Sequence, residues 1–559
     1  MGHAYGVILL TMIHFKVTPE NFNLSREKDS VSDIMFSMSQ AVRNAYREGK
    51  EDETLPPLVL LNHTGQPTGR FKKGDAVIFY NIRGEREVEL SRSLVEAGFD
   101  EFPVENDLAL HFATMIEYHK GLNVRVAFPP DDIIEDTLSD VIARHHLAQA
   151  KITESEKAIH VTYFLNGKNS EIPRGEERII VPTRKDIALF DEAPEMSIHA
   201  VVEAAIKKIH DTSYHFIFVN LPNVDVVGHI ENEGAIIRAV EAVDTSMGRI
   251  VEEALKEGLI TIVTADHGTV EKWFYPDGAI DTGHTDSPVP FIYVHHNDHD
   301  IRLRAGGELS DVAPTVLDIM DIPKPAHMTG CSLIDNPCSR TAGKSRRVLL
   351  LILDGWGENN GNEGNLIARA HTPVMDRLKK TYPHTLLASS GEAVGLPPGT
   401  VGNSEAGHLH IGAGRRIYAD RVKIDRSITD GSFCQNEAFH HVIRSAKDAG
   451  ASLHLLGIVS FFSSHGSIDH LFALMDLAKR EGMKNVFIHA MLGRRGELPE
   501  SGANYLEKVE RKADELSLGK VVSVIGRYWS MDREDNWDRI EKTYRMLVYG
   551  EGTPVKERS

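Results

Sequence analysis

Three stretches of the chain are short, almost wholly apolar and end abruptly at polar residues: FIFVN at 216–220, LITIVTA at 259–265 and VLLLIL at 348–353. Runs of this kind are strands buried on both faces of a parallel sheet, where no alternation survives because neither face meets water. Amphipathic helical patterns lie between them. One is GAIIRAVEAVDTSMGRIVEEALKEG at 234–258, which closes on Gly258 as a helix should. Strand, helix, strand spacing predicts an α/β fold. A second series, LHLLGIVS at 453–460, NVFIHAML at 485–492 and KVVSVIG at 520–526, predicts a second α/β domain. DNPCSRTAGKSRR at 335–347 is polar and aperiodic and reads as a linker. YGVILLTMI at 5–13 is too short to span a bilayer, and with no Lys or Arg before it and no small-residue cleavage site it reads as a buried strand.

Composition narrows the class. The chain has 559 residues, which at roughly 100 to 200 per domain means several domains or two large ones. Hydrophobic residues make up 41% and charged residues 26%, the balance of a folded globular protein rather than a disordered one. With 62 Lys and Arg against 81 Asp and Glu, the net charge of −19 argues against a non-specific nucleic-acid binder, which needs a basic footprint. Three cysteines, Cys331, Cys338 and Cys434, are too few for a disulfide framework. A reducing, cytoplasmic setting is expected.

The candidate chemistry lies where the apolar runs stop. Asp354 follows VLLLIL, Asp225 follows FIFVNLPNV, and Asp266 with His267 follows LITIVTA. Ligands of open parallel sheets bind at the carboxyl ends of the strands, so these acids are expected to converge on one crevice. His229 lies four residues after Asp225, and His284 sits in DTGHT. Any one of these alone reads as a helix cap or as one of 28 scattered histidines; together they point to a divalent metal site, with enough ligands for two ions. Ser404, in the Gly-flanked turn of PPGTVGNSEAGHLHIGAG, is placed to act as a nucleophile, and GNSEAGH serves equally well as a helix cap. Arginines gather in NIRGER (Arg83, Arg86), GRRG (Arg494, Arg495) and GRYWSMDR (Arg527, Arg533), and their forks suit phosphate and carboxylate.

LDGWG, VGNSEAGHLHIGAGR, VDVVGH, TADHG and GRYWSMDR together resemble the cofactor-independent, that is 2,3-bisphosphoglycerate-independent, phosphoglycerate mutases of the alkaline phosphatase superfamily. The likeness runs through GDAVIFYNIRGER at 74–86, LNVRVAFPP at 122–130 and TESEKAIHVTYFLNG at 153–167, and covers about residues 36 to 550. It implies two α/β domains: an alkaline-phosphatase-like metal domain and a smaller transferase domain formed by the two ends of the chain. Residues 36–134 and 418–559 would make the transferase domain and 135–417 the metal domain, with 1–35 left as an unassigned extension. The family's late half comes first here and its early half second, joined at 335–347, which implies a circular permutation.

The resemblance further implies interconversion of 3- and 2-phosphoglycerate, a step of glycolysis and gluconeogenesis, with Ser404 as the phosphoryl acceptor. One metal would be held by Asp225, His229 and His284, the other by Asp354, Ser404, Asp266 and His267. Lys157, Arg83, Arg86, Arg495, Arg527, Arg533 and His465 match positions that bind substrate. Two manganese ions are expected, with zinc, cobalt or magnesium as alternatives and no 2,3-bisphosphoglycerate. A cytoplasmic monomer that engages neither nucleic acid nor membrane is implied. The pattern departs from the family at two places. SFFSSHGS at 460–467 keeps His465 but puts Phe461, Phe462 and Ser463 where the family has an Asp-Gly-Gly turn, and GRRGELP at 493–499 puts Gly496 where a carboxylate is expected. Both lead to the expectation of more hydrolysis relative to transfer. A metal-dependent phosphatase, a mutase for another small phosphorylated acid, and a binding-only relative are the competing readings.

Overall fold

The computed structural model describes residues 37–130, 133–275, 278–296, 301–335, 346–361, 364–461, 465–493 and 500–557. The apolar run at 5–13, most of the 335–347 linker, Phe462, Ser463 and residues 494–499, including Arg494, Arg495, Gly496 and Glu497, lie outside them.

The described chain builds one sheet, leaves it to build another, and returns. It first lays down β1 (Leu58–Leu61), β2 (Ala76–Phe79), β3 (His111–Ile116) and β4 (Arg125–Phe128). A second sheet then takes β5 (Ala148–Glu154), β6 (Glu176–Val181), β7 (Tyr214–Leu221), β8 (Ile260–Thr264), β9 (Val289–Val294), β10 (Gly307–Glu308), β11 (Val348–Leu353) and β12 (His384–Ala388). The first sheet is completed by β13 (Leu453–Ile458), β14 (Val486–Leu492), β15 (Lys520–Gly526) and β16 (Thr553–Lys556). Strand order is β16-β1-β15-β14-β13-β2-β3-β4 in the first and β10-β12-β9-β8-β11-β7-β5-β6 in the second. The six apolar runs of the two α/β series are strands, and the two sheets bear out the α/β expectation.

Within the second sheet, β6, β5, β7, β11 and β8 are parallel neighbours. The helix Glu233–Lys256 carries the chain from β7 to β8 and leaves a gap one strand wide, which β11 fills from almost a hundred residues further on. That helix starts where the Asn232 side chain accepts from the backbone N–H of Ala235 at 3.1 Å. It ends at Lys256, and Gly258 follows at φ +69°, the left-handed position that glycine takes without cost. β11 has no polar residue because both its faces and both its edges are covered.

Each sheet has its own core. One buried apolar cluster draws on residues 138–411, the other on residues 38–127 and 424–548. Ile134, Leu409 and Ala413 form a third, small cluster. The first and last described elements both belong to the first sheet. The helix Ser37–Arg47 is held by Glu510, which accepts from the N–H groups of Met38 (3.0 Å) and Ser39 (3.2 Å), and β16 pairs in parallel with β1. No described helix is long and apolar enough to cross a membrane.

Candidate metal centre

The three acids do converge. β8, β11 and β7 are adjacent and parallel, so Asp266, Asp354 and Asp225 emerge at the same edge of the sheet. The turns are tied to each other: Asp354 N–H donates to the Leu221 carbonyl, and Asp225 N–H to the Asp354 carbonyl, both at 3.1 Å. Gly355 makes the approach possible. It sits at φ +85°, and a Cβ there would lie 2.8 Å from the Asp225 backbone nitrogen. All three carboxylates are buried.

The imidazoles share one orientation. His229 points Nδ1 at the Thr282 carbonyl (2.7 Å), His284 at that of Gly402 (3.1 Å) and His267 at that of Gly268 (3.2 Å). With Nδ1 donating, each Nε2 turns a lone pair toward the acids, the tautomer a metal ligand needs. His229 and His284 Nε2 lie 3.4 and 3.2 Å from Asp225 Oδ1, and His267 Nε2 lies 2.9 Å from Ser404 Oγ. The ligand atoms of Asp225, His229 and His284 lie within 4.8 Å of one another, as do those of Asp225, His267 and Asp354 and those of Asp266, Asp354 and His408.

This donor set fits divalent ions. Lone pairs facing carboxylate oxygens at these distances repel unless a cation or proton lies between them. Asp266 Oδ2 and His284 Nε2 are buried and accept or donate no well-directed hydrogen bond. Among the described residues, the one ammonium beside the acids is that of Lys157, whose Nζ is 2.7 Å from both Asp225 Oδ2 and Asp354 Oδ1 and also bonds Ser404 Oγ. Burial opposes its charge, yet Asp354, Asp225 and Asp266 hold its pKa above the ordinary lysine value. Burial and the neighbouring Asp266 push Asp354 up. Asp225 is also buried, but Lys157 and His267 draw it well below the usual carboxylate range, and its hydrogen bond raises His229.

Ser404 opens the helix Ser404–Ala413, so its turn is a helix start, as GNSEAGH indicated. Asn403 is the cap, accepting from Ala406 N–H at 2.9 Å, which leaves the Ser404 hydroxyl to the site. Gly407 lets this helix touch the acid loop, since a Cβ there would meet the Asp266 carbonyl at 2.6 Å.

The other candidates follow the same rule on the other sheet. β15, β14, β13 and β2 are adjacent, and Arg527 and Arg533, His465, and Arg83 with Arg86 follow the carboxyl ends of β15, β13 and β2. Arg495 follows β14 but lies outside the described residues. Arg86 Nη1 donates to the Met531 carbonyl at 3.0 Å, and Arg83 and Arg533 both pair with Glu85. His465 is buried, with Nδ1 on Glu87 Oε1 at 3.2 Å, and Glu87 also accepts from Asn81 at 2.7 Å. Lys157, grouped with these residues from the sequence, stands apart from them among the metal candidates. Sequence reasoning passed over His408, Asn220 and Glu87. His408 lies one helical turn after Ser404, and Asn220 is the single polar residue of FIFVN, so both left a signal.

Fold and site define a class: an α/β protein with a candidate metal centre at the carboxyl edge of a parallel sheet. The model of the metalloenzyme superfamily matches residues 34–324, just over half of the chain, and the chain belongs to that superfamily. A second model, described as the BPG-independent PGAM N-terminus, matches residues 424–559, at the opposite end of this chain from the one its name gives. The chain is 39% identical over 300 residues to a 2,3-bisphosphoglycerate-independent phosphoglycerate mutase of Clostridioides difficile, covering 53% of this chain and 58% of the relative. It is 49% identical over 208 residues to one of Moorella thermoacetica, covering 37% and 40%. The chain thus spans about half the length of the curated relatives it matches. A crystal structure of Leishmania mexicana phosphoglycerate mutase at low cobalt concentration overlays with a TM-score of 0.35 at 28% identity, covering 49% of this chain and 53% of that one.

Proposed function

We propose that the chain is a 2,3-bisphosphoglycerate-independent phosphoglycerate mutase that passes the phosphoryl group between the 3- and 2-positions of glycerate through Ser404. The observation that carries this reading is the setting of Ser404: a hydroxyl at a helix N-terminus, bonded by Lys157 and His267 and surrounded by three buried acids. The relatives' names support the substrate. Asp225, His229 and His284 would hold one divalent ion and Asp354, Asp266, His267 and Ser404 the other, manganese by expectation. Such a pair supplies positive charge against the transferring phosphoryl group and lowers the pKa of the serine hydroxyl.

The chain's residues do the rest. Lys157, bonded to Ser404 Oγ, favours its ionised form. Ser404 Oγ attacks phosphorus, the bond to the 3-oxygen breaks, and that oxygen takes the proton the serine gave up. Glycerate turns while Arg83, Arg86, Arg527, Arg533 and His465 hold its carboxylate and hydroxyls, with Arg495 assigned the same role. Its 2-hydroxyl then attacks the phosphoserine, loses its proton and restores Ser404.

The first sheet, with residues 36–134 and 418–559, would form the transferase domain, and 135–417 the metal domain. The match of an N-terminal family model to residues 424–559 supports a circular permutation, as does β11, the strand just after the linker, at the centre of the second sheet.

Phosphorus NMR of the protein with manganese and 3-phosphoglycerate tests the reading. We expect 2-phosphoglycerate without added 2,3-bisphosphoglycerate, beside some inorganic phosphate from the departures around Phe461 and Gly496. Phosphate alone would make the protein a phosphatase, and no turnover would overturn both readings.

A further inference from the structure

His408 lies close enough to Asp266 and Asp354 to count as a metal ligand, yet its ring is fully used by the protein. Nδ1 donates to the Ser404 carbonyl at 2.9 Å, with Asp266 Oδ2 3.2 Å away. Nε2 is 3.2 Å from Asn220 Nδ2 and accepts from it, since Nδ1 carries the proton. Asn220 Nδ2 donates a second time, to Asp354 Oδ2 at 2.8 Å, and Asn220 Oδ1 accepts from Thr153 Oγ1 at 3.1 Å. Every member of this chain is buried. An imidazole that donates at one nitrogen and accepts at the other has no lone pair left for an ion.

We propose that His408 and Asn220 are positioning residues for the second metal: Asn220 occupies Asp354 Oδ2 so that Oδ1 alone faces the site, and His408, bonded to Asn220, locks that choice to the helical turn that carries Ser404. The proposal rests on the metal reading above and adds to it the residues that set the geometry of one ion only. Oδ1 is the oxygen that Lys157 contacts at 2.7 Å, so the division between the two oxygens is already made in the protein. Asn220 is the pivot, because its two amide protons serve the imidazole and the carboxylate while Thr153 fixes which way the amide points. Outer partners of this kind typically set metal affinity by ten- to a hundredfold without touching the ion.

Manganese titrated into the full chain by calorimetry, with electron paramagnetic resonance to read the coupled pair, tests this without turnover. Asn220→Leu and His408→Phe should each weaken one of two sites by about 10- to 100-fold and leave the other unchanged. His408→Gln, whose amide oxygen reaches the Nε2 position, should recover most of the loss. Metal-free thermal unfolding checks that each variant folds, and His408→Gln keeps the test open if His408→Phe does not. Wild-type affinity at both sites in Asn220→Leu and His408→Phe overturns the proposal. So does equal weakening of both sites. A loss in His408→Phe that Gln does not recover, with Asn220→Leu unaffected, makes His408 a direct ligand and also overturns it. If the unaltered chain binds no pair of ions, the metal reading falls and the proposal with it, an outcome distinct from all the others.

Discussion

Asp225 shows how much one residue can carry. Its Oδ1 faces His229, His284 and Thr269, the last at 3.1 Å, while Oδ2 meets Lys157. Without an ion, the hydrogen bond to Asp225 raises the pKa of His229 above the ordinary imidazole value, so a proton competes for the ligand position. Metal must displace that proton. Manganese affinity should therefore rise with pH through the raised pKa of His229 and level off above it, by up to about tenfold per pH unit for one proton released. Titration at a series of pH values checks this, and His229→Asn should remove most of the slope. The acids and Ser404 were legible in the sequence because each breaks an apolar run or a glycine-flanked turn. Lys157 was singled out only through the resemblance, as a substrate-binding position, and its place could not be read, since the pairing of β5 with β7 is what brings residue 157 beside Asp225 and Asp354. Glu87 gave no signal: in the sequence it is one more charge in NIRGEREVE, and only its burial against Asn81 and His465 sets it apart.

Among elements, the first sheet contains a polar chain that runs across its strands. Ser523 Oγ on β15 donates to His489 Nδ1 on β14 (2.7 Å), His489 Nε2 to His454 Nδ1 on β13 (2.9 Å), and His454 Nε2 to Asp75 Oδ2 just before β2 (3.1 Å). With both imidazoles neutral, every proton in the chain points toward Asp75. Burial, with His454 beside it, pushes His489 well below the usual imidazole range; burial also lowers His454, against the pull of Asp75. The unfolded chain takes up protons below about pH 6.5 that the folded chain refuses, so this contribution is present above that pH and lost as pH falls below it. The slope is up to about 1.4 kcal/mol per pH unit for each such histidine. Denaturant unfolding between pH 7 and 5 should show stability falling with acid, and His489→Gln should flatten the curve by one histidine's share. An unchanged slope would mean that His489 is protonated in the folded state. The strands that carry this chain were read from LHLLG and NVFIHAML as apolar runs, and the histidine inside each was passed over. Short edge strands such as β10 and β16 were missed because two or four residues are too few to carry a periodicity.

The described residues form two main cores joined by two crossings, and the sequence indicated the pair through its two α/β series, whereas the linker at 335–347 falls between β10 and β11 of a single sheet. Local patterning could not show that residues 58–128 share a sheet with 453–556, because it records no partner several hundred residues away; only the family resemblance implied that these two parts of the chain belong together. The separate cores predict that residues 135–417 fold alone and gain thermal stability from manganese, by about 2.7 kcal/mol at a hundredfold excess over Kd. A fragment whose unfolding does not respond to manganese would mean that the metal domain needs the first sheet. The central claim is that one serine near the carboxyl edge of the second sheet holds the phosphoryl group while glycerate is held by residues at the carboxyl edge of the first. Acid quenching of the manganese-loaded protein during turnover of 3-phosphoglycerate, followed by mass spectrometry of its peptides, tests it most directly. The account predicts phosphate on the peptide containing Ser404, and none in Ser404→Ala together with a fall in turnover of about 10⁴-fold or more. Full turnover in Ser404→Ala, or phosphate on another residue, would contradict it.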